Sequence, residues 1–323
     1  MIGKWLAVVA GVALLGGAAG AQEYPRKPVT VIVPFAAGGP TDTVARLMGV
    51  AMGRSLKTQI VVENVGGAGG TIGAARVAKA SPDGYTILLH NIGHATAPAL
   101  YRKLPYDAVA DFEPVALVND VPMTLVGKKE LPPRDLKELI VYLRANREKV
   151  AYANAGPGGA SHLCGMLFMS AIETEITTVP YKGTGPAMND LLGGQVDFMC
   201  DQTTNTTSQI KAGKVRVYGV TTRTRVASLP EVPTLHEAGL PNFEVSVWHG
   251  FFAPKGTPRP VVEKLAKAVQ VALKDATVTQ RFGELGATAV AESRATPEAL
   301  RAYLRAEIDR WGPIIRKAGV YAE

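Results

Sequence analysis

Apolar and polar positions alternate along the chain with two periods, one typical of strands and one of helices. The run Val29–Val33 is β-branched throughout, which predicts a strand, and residues 43–56 carry apolar side chains at the spacing of one helix face. The pattern then predicts a strand at 60–62, a glycine-rich turn leading into a helix within 66–80, and a strand at 85–89. One α/β lobe is therefore complete before residue 120.

A second set of the same elements begins near residue 136. The pattern predicts helices at 136–147, 162–172 and up to residue 192, strands at 150–153, 196–200 and 215–220, and an extended apolar run at 243–252. The tail is predicted to be helical after Thr257-Pro258 and Thr296-Pro297, where each threonine would cap a helix. Its residues Leu300, Leu304, Ile308 and Trp311 share one face and are expected to pack on the core. Alternating strands and helices predict α/β layers around mostly parallel sheets.

The first 21 residues have the parts of a secretory signal. Lys4 precedes an apolar stretch that ends in the small residues Ala19-Gly20-Ala21, so we expect cleavage after Ala21 and a mature chain from Gln22. The alternative is a membrane anchor, which requires about 20 strongly apolar residues; this segment is shorter and diluted by glycine and alanine. In an oxidising compartment, Cys164 and Cys200 would form a disulfide, and the alternative is two buried thiols.

The net charge excludes one class of partner. It is +7 and falls to +6 without Lys4, and it is spread over short segments at 128–130, 144–149 and 223–225. Nucleic-acid binding requires a clustered basic face with interleaved aromatic residues, so we expect no nucleic-acid partner. A weak positive field that favours small anions is what this charge supports.

Two glycine-rich loops give the strongest signal for a binding site. PFAAGGPTD at 34–42 and NAGPGGAS at 154–161 each follow a strand and precede a helix. Glycines allow backbone N–H groups to turn toward an anion at the positive end of a helix. The expected ligand contacts are Phe35, Ala36, Ala37, Gly38, Gly39, Thr41, Asp42, Ala155, Gly156, Gly158 and Ser161. The alternative is that each loop is only a tight turn, with Asp42 complementing the helix dipole.

The phosphate motifs fail in this chain. GxxxxGK[ST] is absent, and GGAGGTIG at 66–73 does not match GxGxxG because of Ile72. Nucleotides are also scarce outside the cytoplasm. A carboxylate, which accepts the same N–H donors, is therefore the predicted anion.

Two enzyme-like patterns are weaker. His90 and His94 are four apart, but Asn91 stands where a zincin has glutamate, so we predict no metal and treat His94 as a neutral donor to a carboxylate. Ser161-His162 with Asp201 resembles a hydrolase site, but Leu163 breaks the nucleophile elbow. Ser161 as a helix N-cap explains the same residue without chemistry.

Asp201 and Lys182 are the remaining charged candidates. Asp201 ends a predicted strand, where open α/β sheets bind ligands, although it also suits the cap of the following turn. Lys182 either adds positive charge to the cleft or is one more solvated lysine. An ionised Asp201 would repel an acidic ligand unless the ligand carries an ammonium or a water lies between them.

Several long motifs in the same order carry a family resemblance. They include YPRKPVTVIVPFAAGGPTDTVARL, VVENVGGAGGTIGAARVAKASPDGYTILL, GPGGASHLCGMLF, VPYKGTGPAMNDLLGGQVDFM and LPEVPTLHEAGLPNFEVSVWHGFFAPKGTP. Over essentially the whole mature sequence the chain resembles the Bug-type periplasmic solute receptors of tripartite tricarboxylate transporters. Cys164 and Cys200 depart from the usual pattern of that family.

The resemblance implies a type II periplasmic-binding-protein fold, in which two α/β lobes joined by two crossovers enclose a ligand cleft. It implies that the loops at 35–42 and 155–161 hold a ligand carboxylate, that Thr184, Gly185 and Asp201 are pocket positions, and that residues 92–94 form a wall. We expect lobe 1 at 22–123 and 247–323, lobe 2 at 124–246, and hinges within 120–126 and 243–250.

The predicted function is that of a non-enzymatic, monomeric periplasmic receptor without a cofactor. It would bind a dicarboxylate, an aromatic acid or an acidic amino acid and deliver it to a membrane permease. The alternatives are an exported hydrolase and a sensory ligand-binding protein.

Overall fold

The computed structural model describes residues 24–317, 319, 321 and 322, and in this part of the chain strands and helices alternate. The strands are β1 (Val29–Val33), β2 (Ile60–Asn64), β3 (Thr86–Asn91), β4 (Phe112–Lys128), β5 (Ala151–Asn154), β6 (Thr177–Pro180), β7 (Phe198–Gln202), β8 (Val215–Val220), β9 (Ser246–Pro254) and β10 (Thr288–Ala289). The helices are α1 (Pro40–Leu56), α2 (Thr71–Ala78), α3 (Gly93–Leu100), α4 (Leu136–Asn146), α5 (Ala160–Ala171), α6 (Thr184–Leu192), α7 (Thr203–Lys211), α8 (Arg259–Leu273), α9 (Ala276–Glu284) and α10 (Pro297–Lys317). The predicted α/β class is confirmed.

The ten strands form one continuous sheet with two halves, one in each lobe, that share β4 and have the same strand order. In lobe 1 the order is β2-β1-β3-β9-β4, where β1, β2 and β3 are parallel and β9 runs antiparallel to both of its neighbours. In lobe 2 the order is β6-β5-β7-β4-β8, where β4 is the antiparallel strand. These antiparallel strands, β9 in lobe 1 and β4 in lobe 2, come from the segments of the chain that cross between the lobes, and the short β10 adds a further antiparallel pairing with β4.

The two crossing segments lie side by side. Strand β4 pairs with β9 as far as Pro122, opposite Ser246, and pairs with β7 from Met123 onward. Val245 N–H donates to the carbonyl of Thr221 at 3.1 Å in lobe 2, immediately before β9 begins. The chain therefore changes lobe within two or three residues at each crossing.

The predicted apolar face of the last helix is confirmed. Leu300, Leu304 and Trp311 are buried, and Ile308 is partly buried against the same core. Glu307 is buried beside them and accepts hydrogen bonds at 3.0 Å from the indoles of Trp248 and Trp311. This carboxylate joins α10 to β9.

One of the two predicted threonine caps is wrong. The hydroxyl of Thr296 accepts a hydrogen bond from Ala299 N–H at 3.1 Å, as a capping residue does. Thr257 instead donates its hydroxyl to the carbonyl of Pro254 at 2.8 Å, and α8 has no side-chain cap. Thr257 N–H donates to the same carbonyl at 3.2 Å, so a tight turn over residues 254–257 engages the hydroxyl.

Candidate ligand cleft

The lobes meet through direct hydrogen bonds between their loops. Ala36 N–H donates to the carbonyl of Lys182 at 2.8 Å. From α3 and the residue after it, the hydroxyls of Thr96 and Tyr101 donate to the carbonyls of Gly158 at 3.1 Å and Pro157 at 2.7 Å. Because these bonds cross from lobe 1 to lobe 2, the structure is that of a closed cleft.

A glycine at position 69 makes this approach possible. Gly69 has φ +60°, and a Cβ atom there would lie 1.8 Å from the carbonyl oxygen of Pro157. A side chain at this position would hold the lobes apart.

The two glycine-rich loops face a common cavity between the lobes. The cavity is lined by Phe35, Gly39, Pro40, Thr41, Asn91, Ala155, Ala160, Ser161, Thr184, Asp201 and Gln202. The volume of the cavity is about 20 Å³. That is little more than the room needed by one water.

Four helices begin at this cavity. Helices α1, α5 and α6 place their first or second residues in its wall, and Gln202 in the wall immediately precedes α7. No lysine or arginine is among the described residues that line it. Helix N-termini carry partial positive charge and free N–H donors, so the cavity is suited to an anion without a cationic side chain.

The first loop is held from outside by Asp42. One carboxylate oxygen of Asp42 accepts from Gly38 N–H and from Arg46, each at 3.0 Å, and the other accepts from the Asn64 amide at 3.0 Å. Burial would raise the pKa of Asp42, but these hydrogen bonds outweigh it and lower the pKa below its ordinary value. Asp42, Ala37 and Gly38 are not among the residues that line the cavity. They shape the loop rather than its inner wall.

Thr41 lines the cavity and is backed by buried polar groups. Its hydroxyl lies 3.2 Å from His249 Nε2 and 3.3 Å from the amide nitrogen of Asn91. His249 Nδ1 in turn lies 2.8 Å from the side-chain oxygen of Asn119. Burial lowers the pKa of His249 to about 3, so the ring is neutral.

The second loop is closed by Ser161. Its hydroxyl oxygen accepts a hydrogen bond from Ala155 N–H at 2.7 Å across the loop. Gly156 and Gly158 both have positive φ, +91° and +85°, which lets the backbone reverse direction twice within three residues.

The expectation that Ser161 is a helix N-cap is wrong. The N-cap is Gly159, because the loop turns two residues earlier, and Ser161 is the second residue of α5. His162 accepts from Gly158 N–H at 3.4 Å and makes no described hydrogen bond to Ser161, so a nucleophile and base are not paired here.

Asp201 lies in the cavity wall of lobe 2. It is 1% exposed and accepts a hydrogen bond from Asn205 at 2.6 Å. Burial raises its pKa to about 6, and hydrogen bonds from Asn205, Gln202 and Thr184 oppose this shift. Gly185 lies behind Thr184 and packs directly against the backbone of residues 37–39 in the other lobe.

The structure places His94 in the core of lobe 1 rather than in the cavity wall. Its Nε2 lies 3.0 Å from the carbonyl of Ala108, and its ring stacks on Tyr106 and meets Phe112 edge-on. Burial lowers its pKa to about 4. His90 is also buried, and its ring edge meets Phe35 in the cavity wall at 5.6 Å between ring centres.

Cys164 and Cys200 form a disulfide in the structure, with Cα atoms 6.1 Å apart. It joins α5, four residues after its first residue, to β7, one residue before Asp201. The bond therefore ties together two of the elements that build the lobe 2 wall.

Sequence reasoning did not find the wall residues Asn91 and Gln202, nor the supporting residues Asn119 and His249. Pro40 and Ala160 lie within the two predicted loops but were not named as contacts. Asn91 and Gln202 are the last residues of β3 and β7. The rule that ligands bind at the carboxyl ends of strands in α/β sheets applies to both.

In the part of the chain that the structure describes, no helix is both long enough and apolar enough to cross a membrane. The predicted signal segment at 1–21 lies outside the described residues.

Comparisons with known proteins identify a family and a fold. The family model described as tripartite tricarboxylate transporter family receptor (TctC) matches residues 44–320. A UPF0065 protein in the TAR-I ttuE-ttuC' intergenic region of Agrobacterium vitis is 51% identical over 320 residues, which cover 99% of this chain and 92% of that protein.

Solved structures match over the same length. The periplasmic binding protein BugD is 52% identical with a TM-score of 0.91, covering 93% of this chain and 100% of its own. MatC from Rhodopseudomonas palustris with bound malate is 43% identical with a TM-score of 0.88, covering 90% and 100%. Rpa4515 of the same organism with adipate is 35% identical with a TM-score of 0.87, covering 93% and 99%.

These matches confirm the predicted periplasmic-binding-protein fold with two α/β lobes around a cleft. They also confirm the predicted class of protein, since the family and the matched structures are binding receptors rather than enzymes. The chain belongs to the TctC family of tripartite tricarboxylate transporter receptors.

Proposed function

We propose that this receptor binds a small carboxylate between its lobes in the periplasm and delivers it to the membrane permease of a tripartite transporter. The observation that carries the proposal is the convergence of four helix N-termini on one cavity whose described wall has no cationic side chain. Backbone N–H groups at helix ends stabilise a carboxylate without the desolvation of an arginine. The malate bound to MatC and the adipate bound to Rpa4515 support the same ligand class.

The size of the cavity requires the lobes to move. A space of about 20 Å³ accommodates about one water, and a four-carbon acid is several times larger. We therefore propose that the lobes, residues 22–123 with 247–323 and residues 124–246, separate about the crossings near Pro122 and Ser246 when ligand enters. The lobes then close around the ligand with a wider cavity than the one in this structure, and this closed form retains the ligand.

Export and assembly complete the proposal. The segment 1–21 would direct secretion and be removed after Ala21, and the mature receptor would act as a monomer that presents its closed form to the permease. The closed and open forms differ in the relative position of two lobe surfaces, which gives the permease a means to distinguish the loaded receptor.

The test is a titration of the purified protein, unfolded and refolded to remove bound solutes, with small carboxylic acids and their uncharged amides. A ligand present at 100 times its Kd should add about 2.7 kcal/mol to the free energy of unfolding. Stabilisation by an acid but not by its amide supports the proposal. If no dicarboxylate, aromatic acid or acidic amino acid changes the thermal transition, the proposed function is wrong.

Delivery needs a separate measurement. Cells that lack the chromosomal copy of this receptor should lose uptake of the identified acid, and a plasmid copy should restore it. Unchanged uptake in those cells would show that the protein does not deliver the acid to a permease, even if it binds the acid.

A further inference from the structure

The wall of the cavity contains several hydrogen-bond acceptors. Each has a lone pair that receives no hydrogen bond from the described residues. Thr41, Asp201 and Gln202 all line the cavity and are at least 96% buried. An anion uses the N–H donors of the helix ends, but it has no proton to give to these acceptors. Their arrangement therefore bears on which carboxylate fits.

The hydroxyl proton of Thr41 points away from the cavity. Asn119 presents its side-chain oxygen to His249 Nδ1 at 2.8 Å, so Nδ1 carries the proton of the neutral ring and Nε2 is an acceptor. The hydroxyl of Thr41 then donates to Nε2 at 3.2 Å. Thr41 has no second proton to offer a ligand.

Asn91 fixes the other side of Thr41. Its side-chain oxygen accepts from Gly93 N–H at 2.9 Å, which directs the amide nitrogen toward Thr41 at 3.3 Å. With one lone pair used by Asn91 and its proton given to His249, Thr41 presents its remaining lone pair to the cavity. It is an acceptor for the ligand.

Gln202 and Asp201 add acceptors in lobe 2. The side-chain oxygen of Gln202 is buried and has no hydrogen-bond partner among the described residues. Asp201 receives hydrogen bonds from the side chains of Asn205 and Thr184 and from the backbone of Gln202, and because an ionised carboxylate has about four lone-pair sites, one site remains for a ligand. Buried acceptors without a donor are costly, so a ligand that supplies protons to them is favoured over one that does not.

We propose that the receptor selects a carboxylic acid that carries a hydroxyl group on a carbon close to its carboxylate, with the carboxylate at the helix ends and the hydroxyl donating to the acceptor wall of Thr41, Asp201 and Gln202. This inference rests on the proposed function. The hydroxyl must be close to the carboxylate because the cavity is small.

An ammonium group would also supply protons, but the surroundings favour a neutral donor. Four helix N-termini surround the cavity and make its potential positive, which opposes a cation. Two of the three acceptors, Thr41 and Gln202, are uncharged. A hydroxyl satisfies them without the desolvation of a charge.

The experiment compares three acids that differ only at one carbon. Succinate, malate and aspartate carry hydrogen, hydroxyl and ammonium at that position, and their Kd values are measured by calorimetry at pH 7.5 with the refolded full-length mature protein. Malate is expected to bind roughly 10- to 100-fold more tightly than succinate, because bound succinate has no hydroxyl and leaves the buried acceptors without a donor. If another unsubstituted acid binds better than succinate, the Kd of that acid is compared with the Kd of its 2-hydroxy analogue in the same way.

Each outcome separates this inference from the proposed function. Equal affinity for succinate and malate overturns the inference and leaves the proposed function standing. Tighter binding of aspartate than of malate also overturns it, in favour of an amino acid. If neither these three acids nor any other dicarboxylate, aromatic acid or acidic amino acid binds, both are wrong.

Variants test the role of the threonine and its support. Thr41→Val should bring the ratio of the succinate Kd to the malate Kd toward one, whereas Thr41→Ser, which keeps the hydroxyl, should retain most of the ratio. His249→Phe should also lower the ratio, because the hydroxyl proton of Thr41 loses its acceptor. The ¹⁵N spectrum of His249 should show the proton on Nδ1, and a proton on Nε2 would overturn the assignment of Thr41 as an acceptor.

Discussion

The carboxylate of Asp201 accepts a hydrogen bond from the side-chain amide of Asn205 at 2.6 Å, at the start of the helix that follows β7. This bond favours the ionised form of Asp201, but the residue is almost completely buried, and burial has the larger effect. The result is a carboxyl group whose pKa of about 6 lies well above its ordinary value of 3.8. Such a group changes its charge near neutral pH.

The contribution of Asp201 to stability should therefore fall as pH rises from about 4 to above 6, whereas the neutral buried rings of His94 and His249, with pKa values of about 4 and about 3, contribute a rise over the same range. Between the ordinary pKa and the raised one, the folded state binds more protons at Asp201 than the unfolded state does, so its contribution to the free energy of unfolding decreases with pH. The difference between a pKa of 3.8 and one of about 6 corresponds to about 3 kcal/mol. Urea denaturation of the parent and of Asp201→Asn at pH 4.5 and 7.5 isolates this contribution, because between these two pH values the variant should gain up to about 3 kcal/mol more stability than the parent.

The Asp201→Asn comparison also serves as the control for other groups. The pKa values of Asp42, Glu113, His94 and His249 are all below their ordinary values, and their contributions are present in both proteins, so they cancel when the variant is compared with the parent. Equal pH dependence in the variant and the parent would mean that Asp201 is ionised throughout this range.

Gly39 should tolerate no large side chain if the lobes are to close. A Cβ atom at Gly39 would lie 3.3 Å from the backbone nitrogen of Gly185 in the other lobe, and the two methyl groups of valine extend further. Gly39→Val should weaken ligand binding by more than about 10-fold, a loss of at least about 1.4 kcal/mol. Its φ of −89° is open to any residue, so the ligand-free protein should keep its thermal transition.

Gly283→Val is a matched control, since nothing lies within 4 Å of a Cβ atom there. Gly158→Val should abolish binding as well, but it should also lower the stability of the protein. The φ of +85° at Gly158 is strained for valine. Retained affinity in both the Gly39 and Gly158 variants would refute the assignment of the two loops to the site.

Tyr101 should control how long the ligand stays bound. Its hydroxyl bonds to the carbonyl of Pro157 only when the lobes are closed, and Tyr101 is not among the residues that line the cavity. Tyr101→Phe removes a bond of about 1 kcal/mol from the closed form, which should raise the dissociation rate about 5-fold. Stopped-flow displacement measures that rate.

Tyr85→Phe is the control for this substitution, since the hydroxyl of Tyr85 accepts from Arg26 N–H within lobe 1. Identical dissociation rates in the parent and Tyr101→Phe would mean that the contact does not persist in the ligand-bound form.

The local features of the fold and site were predictable from the sequence. The apolar periods located most strands and helices, and the glycine pairs marked both loops, because these signals depend on neighbours within a few residues. Strand β4 was not predicted, since its 17 residues pair with segments near residues 200, 217 and 250. Its role as the crossing strand exists only in the folded chain.

The same reasoning explains which side chains were misplaced. Asp42 turns outward because Arg46 and Asn64 hold it, and Asn64 lies 22 residues away. His94 lies in the core because Phe112 and Phe252 surround it. The support of Thr41 comes from Asn119 and His249, which are 130 residues apart and opposite each other on β4 and β9. No local pattern reports such contacts.

The disulfide between Cys164 and Cys200 should be a large part of the stability of lobe 2. It closes a loop with a sequence separation of 36 residues, for which the chain-entropy estimate is about 4 kcal/mol. The double variant Cys164→Ala/Cys200→Ala should therefore unfold at lower urea concentration. Because the bond ties α5 to β7, the ligand affinity of the variant should fall as well. Thiol titration of the unfolded, unreduced protein provides the check: two reactive thiols would show that the bond does not form in the exported protein.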